Sequence, residues 1–309
     1  MAILHPMAMI QANGLELCFE TFGKPDDPAL LLVNGFTSQL TAWETGMCER
    51  FAARGRFVIR YDNRDVGLST HLAGGSGSLS RVMTARNGKG DMPDLPYLLS
   101  DMAADGMALL RALHIERAHI AGASMGGMIV QAMAIEHPHR VLSLTSIMSN
   151  TGEPDFGRSS PEANAALTAA PTSIRADYIE QTVVGRKVWS SPRYFDEQLE
   201  RARIARDFDR MFFPDGAIRQ YLAVLGSPPR AEGLAQLATP TLVIHGRADT
   251  LISLSGGERT AELVPGANLF VLNDMGHDLP IPLWPVLIDV MISHQNNARQ
   301  TVRESANRR

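Results

Sequence analysis

The sequence predicts an α/β fold in which a mainly parallel central sheet is flanked by helices. Short apolar runs of strand length alternate with longer segments of helical periodicity, which is typical of parallel α/β sheets. The runs are continuous rather than alternating, as in strands that are covered on both faces. Hydrophobic residues make up 45% and charged residues 20% of the 309 residues, a composition that excludes disorder and fibrous repeats.

Eight segments predict strands, and two long segments predict helices between them. The predicted strands are 9–12, Leu15–Phe22, Ala29–Val33, 56–61, 118–121, Val141–Ile147, 240–245 and Asn268–Leu272. Asn13-Gly14 lies between the first two and suits a hairpin turn with positive φ. Residues 96–113 repeat apolar side chains at helical spacing, and residues 125–135 are apolar almost all round, as in a buried helix.

Two segments interrupt the alternation of strands and helices. Residues 73–91 are rich in glycine and serine, which predicts a mobile surface loop. Residues 150–237 contain helical patterns without a strand, which predicts an inserted helical cap. Its run 199–210 mixes acidic residues and arginines, and we interpret it as a solvated helix face. The predicted organisation is a core in two parts (1–149 and 238–295), a cap (150–237) and a polar C-terminal tail (296–309).

Charge and cysteine content exclude several classes of protein. A net charge of −4 gives no basic footprint, so we expect no nucleic-acid partner. Two cysteines cannot build a disulfide framework or a metal cluster, and we interpret them as small buried side chains. No apolar run approaches the roughly 20 residues of a membrane helix, and the first residues lack the features of a signal peptide. We therefore expect a cytoplasmic protein, although unconventional export would leave no mark in the sequence. No feature of the sequence predicts the oligomeric state.

The strongest chemical signal is the run Gly122-Ala123-Ser124-Met125-Gly126-Gly127, which matches G-x-S-x-G. A predicted strand precedes it and a predicted helix follows, which is the context that this motif requires. Ser124 would then lie on a sharp, strained turn with positive φ, where bulky side chains in place of the glycines would collide. Its hydroxyl would point out of the sheet, above a helix N-terminus that favours developing negative charge.

A serine needs a base to take its proton, and the base needs an orienting carboxylate. His277 follows the last predicted strand and is the candidate base, and Asp249 follows the strand before it. The order Ser124, Asp249, His277 is the nucleophile–acid–base order of the fold that uses this serine turn. Asp274 and Asp278 are alternatives because they are close to His277 in sequence, although neighbours on one loop seldom reach the far ring nitrogen.

An oxyanion hole needs two donors directed at one point. The first candidate is the backbone N–H of Met125, which follows the nucleophile, and the second is that of Phe36, in the turn after the strand Ala29–Val33. Arg64 could contact the substrate, but an ion pair that locks its loop is the favoured interpretation. Candidate pocket side chains are Trp43, Leu279 and Trp284 near the serine and Phe213, Phe212, Tyr221 and Leu225 on the cap side.

Taken together, these segments resemble the α/β-hydrolase superfamily, and more closely actinobacterial serine esterases of the aclacinomycin methylesterase type and mycobacterial lipase/esterase relatives. The resemblance covers about residues 9–150 and 237–295 and includes the cap. It is carried by Leu31-Leu32-Val33-Asn34-Gly35, Arg60-Tyr61-Asp62-Asn63-Arg64-Asp65-Val66-Gly67-Leu68-Ser69, the turn around Ser124, His245-Gly246-Arg247-Ala248-Asp249 and Gly276-His277-Asp278-Leu279-Pro280.

The resemblance implies hydrolysis of carboxylic esters without a cofactor. It assigns Ser124, Asp249 and His277 as the triad and Phe36 and Met125 as the oxyanion donors. One residue departs from the family pattern, because Asn34 stands where many members have histidine. Since the expected donor is a backbone group, we expect this difference to change the packing of the loop more than its chemistry.

We therefore predict a serine hydrolase that cleaves small-molecule esters through an acyl-enzyme. The alternatives are a related triad enzyme acting on thioesters, on carbon–carbon bonds or as a perhydrolase and, less favoured, a ligand-binding receptor on a hydrolase fold. A dehalogenase or epoxide hydrolase would need an aspartate where Ser124 stands. No histidine–carboxylate cluster has metal-ligand spacing, and the glycines do not form a dinucleotide motif, so we expect neither a metal nor another cofactor.

Overall fold

A computed structural model describes residues 7–74 and 77–307, with side chains described up to residue 298. Eight strands form one sheet in the order β1-β2-β4-β3-β5-β6-β7-β8. They are β1 Ala8–Ala12, β2 Leu15–Phe22, β3 Ala29–Val33, β4 Phe57–Tyr61, β5 Ala118–Ala123, β6 Val141–Ile147, β7 Thr241–Gly246 and β8 Asn268–Leu272. Only the β1–β2 and β2–β4 pairs are antiparallel. The prediction of a mainly parallel sheet is therefore confirmed.

Helices cover both faces of the sheet. In chain order they are α1 Thr45–Ala53, α2 Leu79–Arg86, α3 Leu99–Ala112, α4 Met125–Glu136, α5 Pro161–Leu167, α6 Arg175–Trp189, α7 Glu197–Arg210, α8 Pro214–Gly226, α9 Ala231–Ala235, α10 Ser255–Leu263 and α11 Trp284–Asn307. Successive side chains of β3 point to opposite faces. Leu30 and Leu32 join the apolar cluster with α1 and α11, while Leu31 and Val33 join the cluster with α3 and α4. Full burial of each such side chain stabilises the fold by about 1.5–3 kcal/mol.

The segment 73–91, predicted as a loop, contains a helix, so this prediction is wrong for its middle part. Helix α2 is capped by Ser78, whose hydroxyl accepts a hydrogen bond from the Arg81 N–H, and its Val82 is buried. The glycines flank this helix and do not interrupt it, since Gly77 precedes it and Gly88 follows it. Residues 75 and 76 of the segment lie outside the described residues.

The last helix extends beyond the predicted end of the core. Helix α11 runs from Trp284 to Asn307, so residues 296–307 of the predicted polar tail are helical. Gln295 and Ala298 are buried, and Gln295 accepts a hydrogen bond from Arg56. The end of the predicted tail, residues 308–309, lies outside the described part of the chain.

Helices α5 to α9 lie between β6 and β7, and we call residues 150–237 the cap. All residues of this segment are described, and none of them forms a strand. The interpretation of 199–210 as a solvated face is wrong for its C-terminal part. Arg203 and Arg206 of α7 bond to Glu44 of the core, and Arg210 bonds to the buried carboxylate of Asp62 at 2.7 Å. These arginines hold the cap on the core.

Candidate active site

Ser124 occupies a strained turn between β5 and α4. Its φ of 57° and ψ of −122° are backbone angles that residues other than glycine rarely adopt. The turn is tight because the flanking glycines have no side chain. A Cβ on Gly122 would lie 2.1 Å from the carbonyl oxygen of Gly126, and one on Gly126 would lie 2.2 Å from that of Val33. The Ser124 N–H donates to the Ile147 carbonyl at 2.9 Å, which holds the turn against β6.

His277 and Asp249 lie on neighbouring loops and are joined by a hydrogen bond. The distance from His277 Nδ1 to Asp249 Oδ2 is 2.7 Å. The other carboxylate oxygen accepts hydrogen bonds from the N–H groups of Leu251 at 2.9 Å and Ile252 at 2.8 Å. An ionised carboxylate is only an acceptor, so Nδ1 of the neutral ring carries the proton and Nε2 can accept another. The backbone N–H of His277 donates to the Trp189 carbonyl of the cap at 2.7 Å.

The two rival carboxylates bond elsewhere. Asp278 accepts hydrogen bonds from the backbone N–H and the hydroxyl of Ser191, and burial raises the pKa of its carboxyl group. Asp274 pairs with Arg193 at 2.8 Å on the surface. Of the three candidates, the carboxylate that meets the His277 ring is that of Asp249.

His245 is a buried residue beside this pair that the sequence motifs did not single out for chemistry. Its Nε2 lies 2.8 Å from the Ile252 carbonyl oxygen and 3.6 Å from Asp249 Oδ2. Burial lowers its pKa, so the ring is neutral and Nε2 donates to that carbonyl. His245 thereby supports the loop whose N–H groups hold Asp249. The available signal was its place in the His245-Gly246-Arg247-Ala248-Asp249 run.

The turn after β3 passes directly in front of Ser124. A Cβ on Gly35 would lie 3.2 Å from Ser124 Cβ and 3.7 Å from its hydroxyl oxygen. Phe36 follows Gly35, and within residues 7–74 and 77–307 neither its N–H nor that of Met125 donates a hydrogen bond. The Asn34 side chain turns away and donates to the Tyr61 carbonyl at 2.6 Å. Two unused N–H groups therefore flank the serine.

The predicted site residues meet around one cavity of about 690 Å³ between core and cap. Ser124, His277, Phe36 and Met125 line it, while Asp249 lies behind His277. All of the predicted pocket side chains also line it: Trp43, Leu279, Trp284, Phe213, Phe212, Tyr221 and Leu225. The cap adds a cluster of aromatic rings in which Phe208 and Phe212 stack at 4.7 Å between centroids. The cavity is therefore large, aromatic and open to the serine.

Arg64 does not line this cavity. Its guanidinium makes two hydrogen bonds to the Asp105 carboxylate, at 2.6 and 2.7 Å, and lies 4.9 Å from the centre of the Tyr97 ring. The interpretation of this loop as locked by ion pairs is confirmed. The neighbouring Asp65 is held in the same way by Arg219 of the cap, at 2.8 and 2.9 Å.

Among residues 7–74 and 77–307, no group of three or more His, Cys, Asp or Glu side chains is arranged to hold a metal ion. In the same part of the chain, no helix is both long and apolar enough to cross a bilayer.

These features together define the class of α/β hydrolases: a mainly parallel sheet, a serine at the sharp turn after β5, a histidine–aspartate pair after the last two strands and an inserted helical segment. The chain belongs to the alpha/beta hydrolase fold family, whose model matches residues 28–282. The resemblance noted from the motifs is thus confirmed.

Curated relatives and solved structures agree with this family. Over 313 residues the chain is 26% identical to rhodomycin D methylesterase DauP of Streptomyces sp. (strain C5), with 95% of this chain and 99% of the relative covered. It is 27% identical to rhodomycin D methylesterase DnrP of Streptomyces peucetius, with the same coverage. A meta-cleavage product hydrolase from Pseudomonas fluorescens IP01 shares the fold, with a TM-score of 0.74, 20% identity, and 94% and 98% of the two chains covered. The prediction of a hydrolase similar to methylesterases agrees with these names.

Proposed function

We propose that the protein is a serine-dependent carboxylic ester hydrolase that works without a cofactor. One observation carries the proposal. Ser124, His277 and the free N–H groups of Phe36 and Met125 line one cavity, and Asp249 accepts a hydrogen bond from the far nitrogen of His277. This arrangement supplies a nucleophile, a base, an orienting carboxylate and two oxyanion donors.

In the proposed reaction, Ser124 Oγ attacks the ester carbonyl while His277 Nε2 accepts its proton. Asp249 stabilises the imidazolium, and the Phe36 and Met125 N–H groups bind the oxyanion of the tetrahedral intermediate. The intermediate then collapses, the bond to the alcohol breaks, and His277 protonates the departing oxygen. Water, deprotonated by His277, attacks the acyl-enzyme, and a second collapse releases the acid and regenerates Ser124.

The dimensions of the cavity favour esters with a bulky acyl part. A volume of about 690 Å³ falls within the roughly 300–1,000 Å³ range of sites that enclose drug-sized ligands. Partly exposed aromatic side chains from both core and cap line it, including Phe36, Phe212 and Tyr221, and such rings bind flat aromatic groups by stacking. Two relatives are named rhodomycin D methylesterases. We therefore propose that polycyclic aromatic methyl esters are turned over better than short alkyl esters.

The test is steady-state hydrolysis by the parent and by the Ser124→Ala variant. The substrates are p-nitrophenyl esters from acetate to palmitate and methyl esters of polycyclic aromatic carboxylic acids. In the serine protease whose triad was dissected, removing one triad member costs on the order of 10⁴- to 10⁶-fold in rate, and we expect a loss within that range here. A folded Ser124→Ala variant with the parental rate would refute the proposal.

The same assay separates the other triad chemistries. Thioesters, a vinylogous diketone for carbon–carbon cleavage, and hydrogen peroxide as acyl acceptor are run in parallel with the esters. A higher kcat/KM on one of these would reassign the bond that is cleaved while leaving the role of Ser124 intact. Single-turnover behaviour on all substrates, with tight retention of the ligand, would instead indicate a receptor.

A further inference from the structure

Gln220 connects the cap to the turn that carries the proposed oxyanion donor. It lies on helix α8 and is fully buried. Its side-chain oxygen accepts a hydrogen bond from the Thr37 N–H at 2.9 Å, and its side-chain nitrogen donates to the Arg64 carbonyl at 2.9 Å. Thr37 directly follows Phe36. Both ends of a single amide from the cap are therefore used to hold two loops of the core.

The peptide unit between Phe36 and Thr37 is held at both of its polar atoms. Its N–H, that of Thr37, donates to Gln220, while its carbonyl accepts from the Thr37 hydroxyl at 2.7 Å and the Ser38 hydroxyl at 3.3 Å. Thr37 has a φ of 57°, a conformation that is costly for a β-branched residue. Such a backbone persists only where its surroundings hold it. The orientation of this peptide plane sets the ψ of Phe36 and so constrains the direction of its N–H.

Helix α8 is fixed to the core strongly enough to serve as this support. The Arg219 guanidinium makes a two-pronged ion pair with the buried Asp65 carboxylate, at 2.8 and 2.9 Å. A Cβ on Gly216 would lie 2.0 Å from the Asp65 carbonyl oxygen, so the helix backbone lies directly against the loop. The amide of Gln220 is therefore presented from a rigid surface.

We propose that Gln220 is a positioning residue for the oxyanion-binding turn. Removing its amide lets the turn relax from its positive-φ conformation and moves the Phe36 N–H away from the developing oxyanion. In consequence, α8 stays docked during turnover, and the cap is part of the catalytic scaffold as well as a wall of the pocket. This inference rests on the proposed function.

The first test compares the Gln220→Leu and Gln131→Leu variants with the parent. Gln131 is also fully buried and makes two side-chain hydrogen bonds, to Ser146 and Arg230, but it lies along α4 and not at the turn. Losing one oxyanion donor outright costs about 10²- to 10³-fold in kcat. For its displacement we expect a fall in kcat of about 10- to 100-fold in Gln220→Leu, with KM changed less than about twofold. An equal fall in kcat in both variants would contradict the inference.

A second measurement separates positioning from loosening of the pocket. A trifluoromethyl ketone adds to the serine and places its oxyanion in the hole, whereas the matching methyl ketone binds without this charge. We expect Gln220→Leu to weaken the trifluoromethyl ketone by the same factor as kcat and to leave the methyl ketone unchanged. Equal weakening of both inhibitors would overturn the proposal.

The Gln220→Glu variant keeps the test informative if the leucine variant does not fold. A protonated carboxyl group can accept from the Thr37 N–H and donate to the Arg64 carbonyl, as the amide does, whereas a carboxylate cannot donate. We therefore expect the kcat of Gln220→Glu relative to the parent to rise as the pH falls from 8 to 5.5. A constant ratio would contradict the inference. If the parent shows no Ser124-dependent turnover, the proposed function fails instead.

Discussion

The Asp249→Asn substitution tests the orienting role that we propose for this carboxylate, because the surrounding hydrogen bonds determine how an amide would be oriented. Asp249 Oδ1 accepts from the N–H groups of Leu251 and Ile252. An amide nitrogen cannot accept these hydrogen bonds, so the amide oxygen must take that place. The amide nitrogen then faces His277 Nδ1 as a donor. The ring must accept at Nδ1 and carry its proton on Nε2, the nitrogen that would otherwise take the proton of Ser124.

The expected loss follows from this change of tautomer. The corresponding substitution in a serine protease lowers kcat about 10⁴-fold with the geometry intact, which equals about 5.4 kcal/mol of transition-state stabilisation. We expect a loss of similar size here, with a melting temperature close to that of the parent because the shape of the side chain is kept. The assay is steady-state ester hydrolysis at pH 7.5, with thermal unfolding monitored in parallel.

Asp278→Asn is the matched control. Asp278 neighbours His277 in sequence, but its carboxylate bonds to Ser191, so we expect less than about a tenfold loss of kcat, well below the loss expected for a wrong tautomer. The reasoning would be refuted if Asp249→Asn kept kcat within about tenfold of the parent, or if Asp278→Asn suffered the larger loss.

Three further outcomes concern stability and packing. Arg210→Met leaves the Asp62 carboxylate buried without a countercharge and should lower the free energy of unfolding by about 3–5 kcal/mol, whereas Arg201→Met, at an exposed pair, should change it little in urea denaturation. Burial already raises the pKa of Asp62, and an acid with a raised folded-state pKa binds more protons in the folded state than in the unfolded state. The loss in free energy of unfolding caused by Arg210→Met should therefore be smaller at pH 5 than at pH 8. In Gly122→Ala the added Cβ would collide with the first turn of α4, so the variant should be inactive or insoluble. A Gly122→Ala variant with the kcat of the parent would contradict the inference that this turn has no room for a side chain. Burial raises the pKa of the Cys48 thiol to about 12, so at pH 8 it should react with Ellman's reagent only after unfolding, and rapid reaction of the native protein would contradict this.

Much of the fold and the proposed nucleophile could be predicted because their signals are local. Continuous apolar runs predicted the strands, and Ala29–Val33 is buried along its whole length. The two glycines around Ser124 predicted a backbone that only small residues permit, and the close contacts at Gly122 and Gly126 agree. Local patterns failed where polarity was ambiguous. The glycines of 73–91 predicted a loop, although part of this segment forms the short helix α2. The charged residues of α7 predicted a solvated face, although Arg210 forms an ion pair with a buried carboxylate.

The class of fold, the positions of its strands along the chain and the turn that presents Ser124 could be predicted from local patterns, because backbone sterics and hydrophobic periodicity act over a few residues. Contacts between distant segments of the chain determine which of three aspartates meets His277 and which cap residues support the site. Gln220 and Thr37 are 183 residues apart in the chain, and Trp189 and His277 are also distant. Such contacts depend on how the cap packs on the core, and a buried amide that supports a turn has no local pattern that distinguishes it from any other glutamine on a helix.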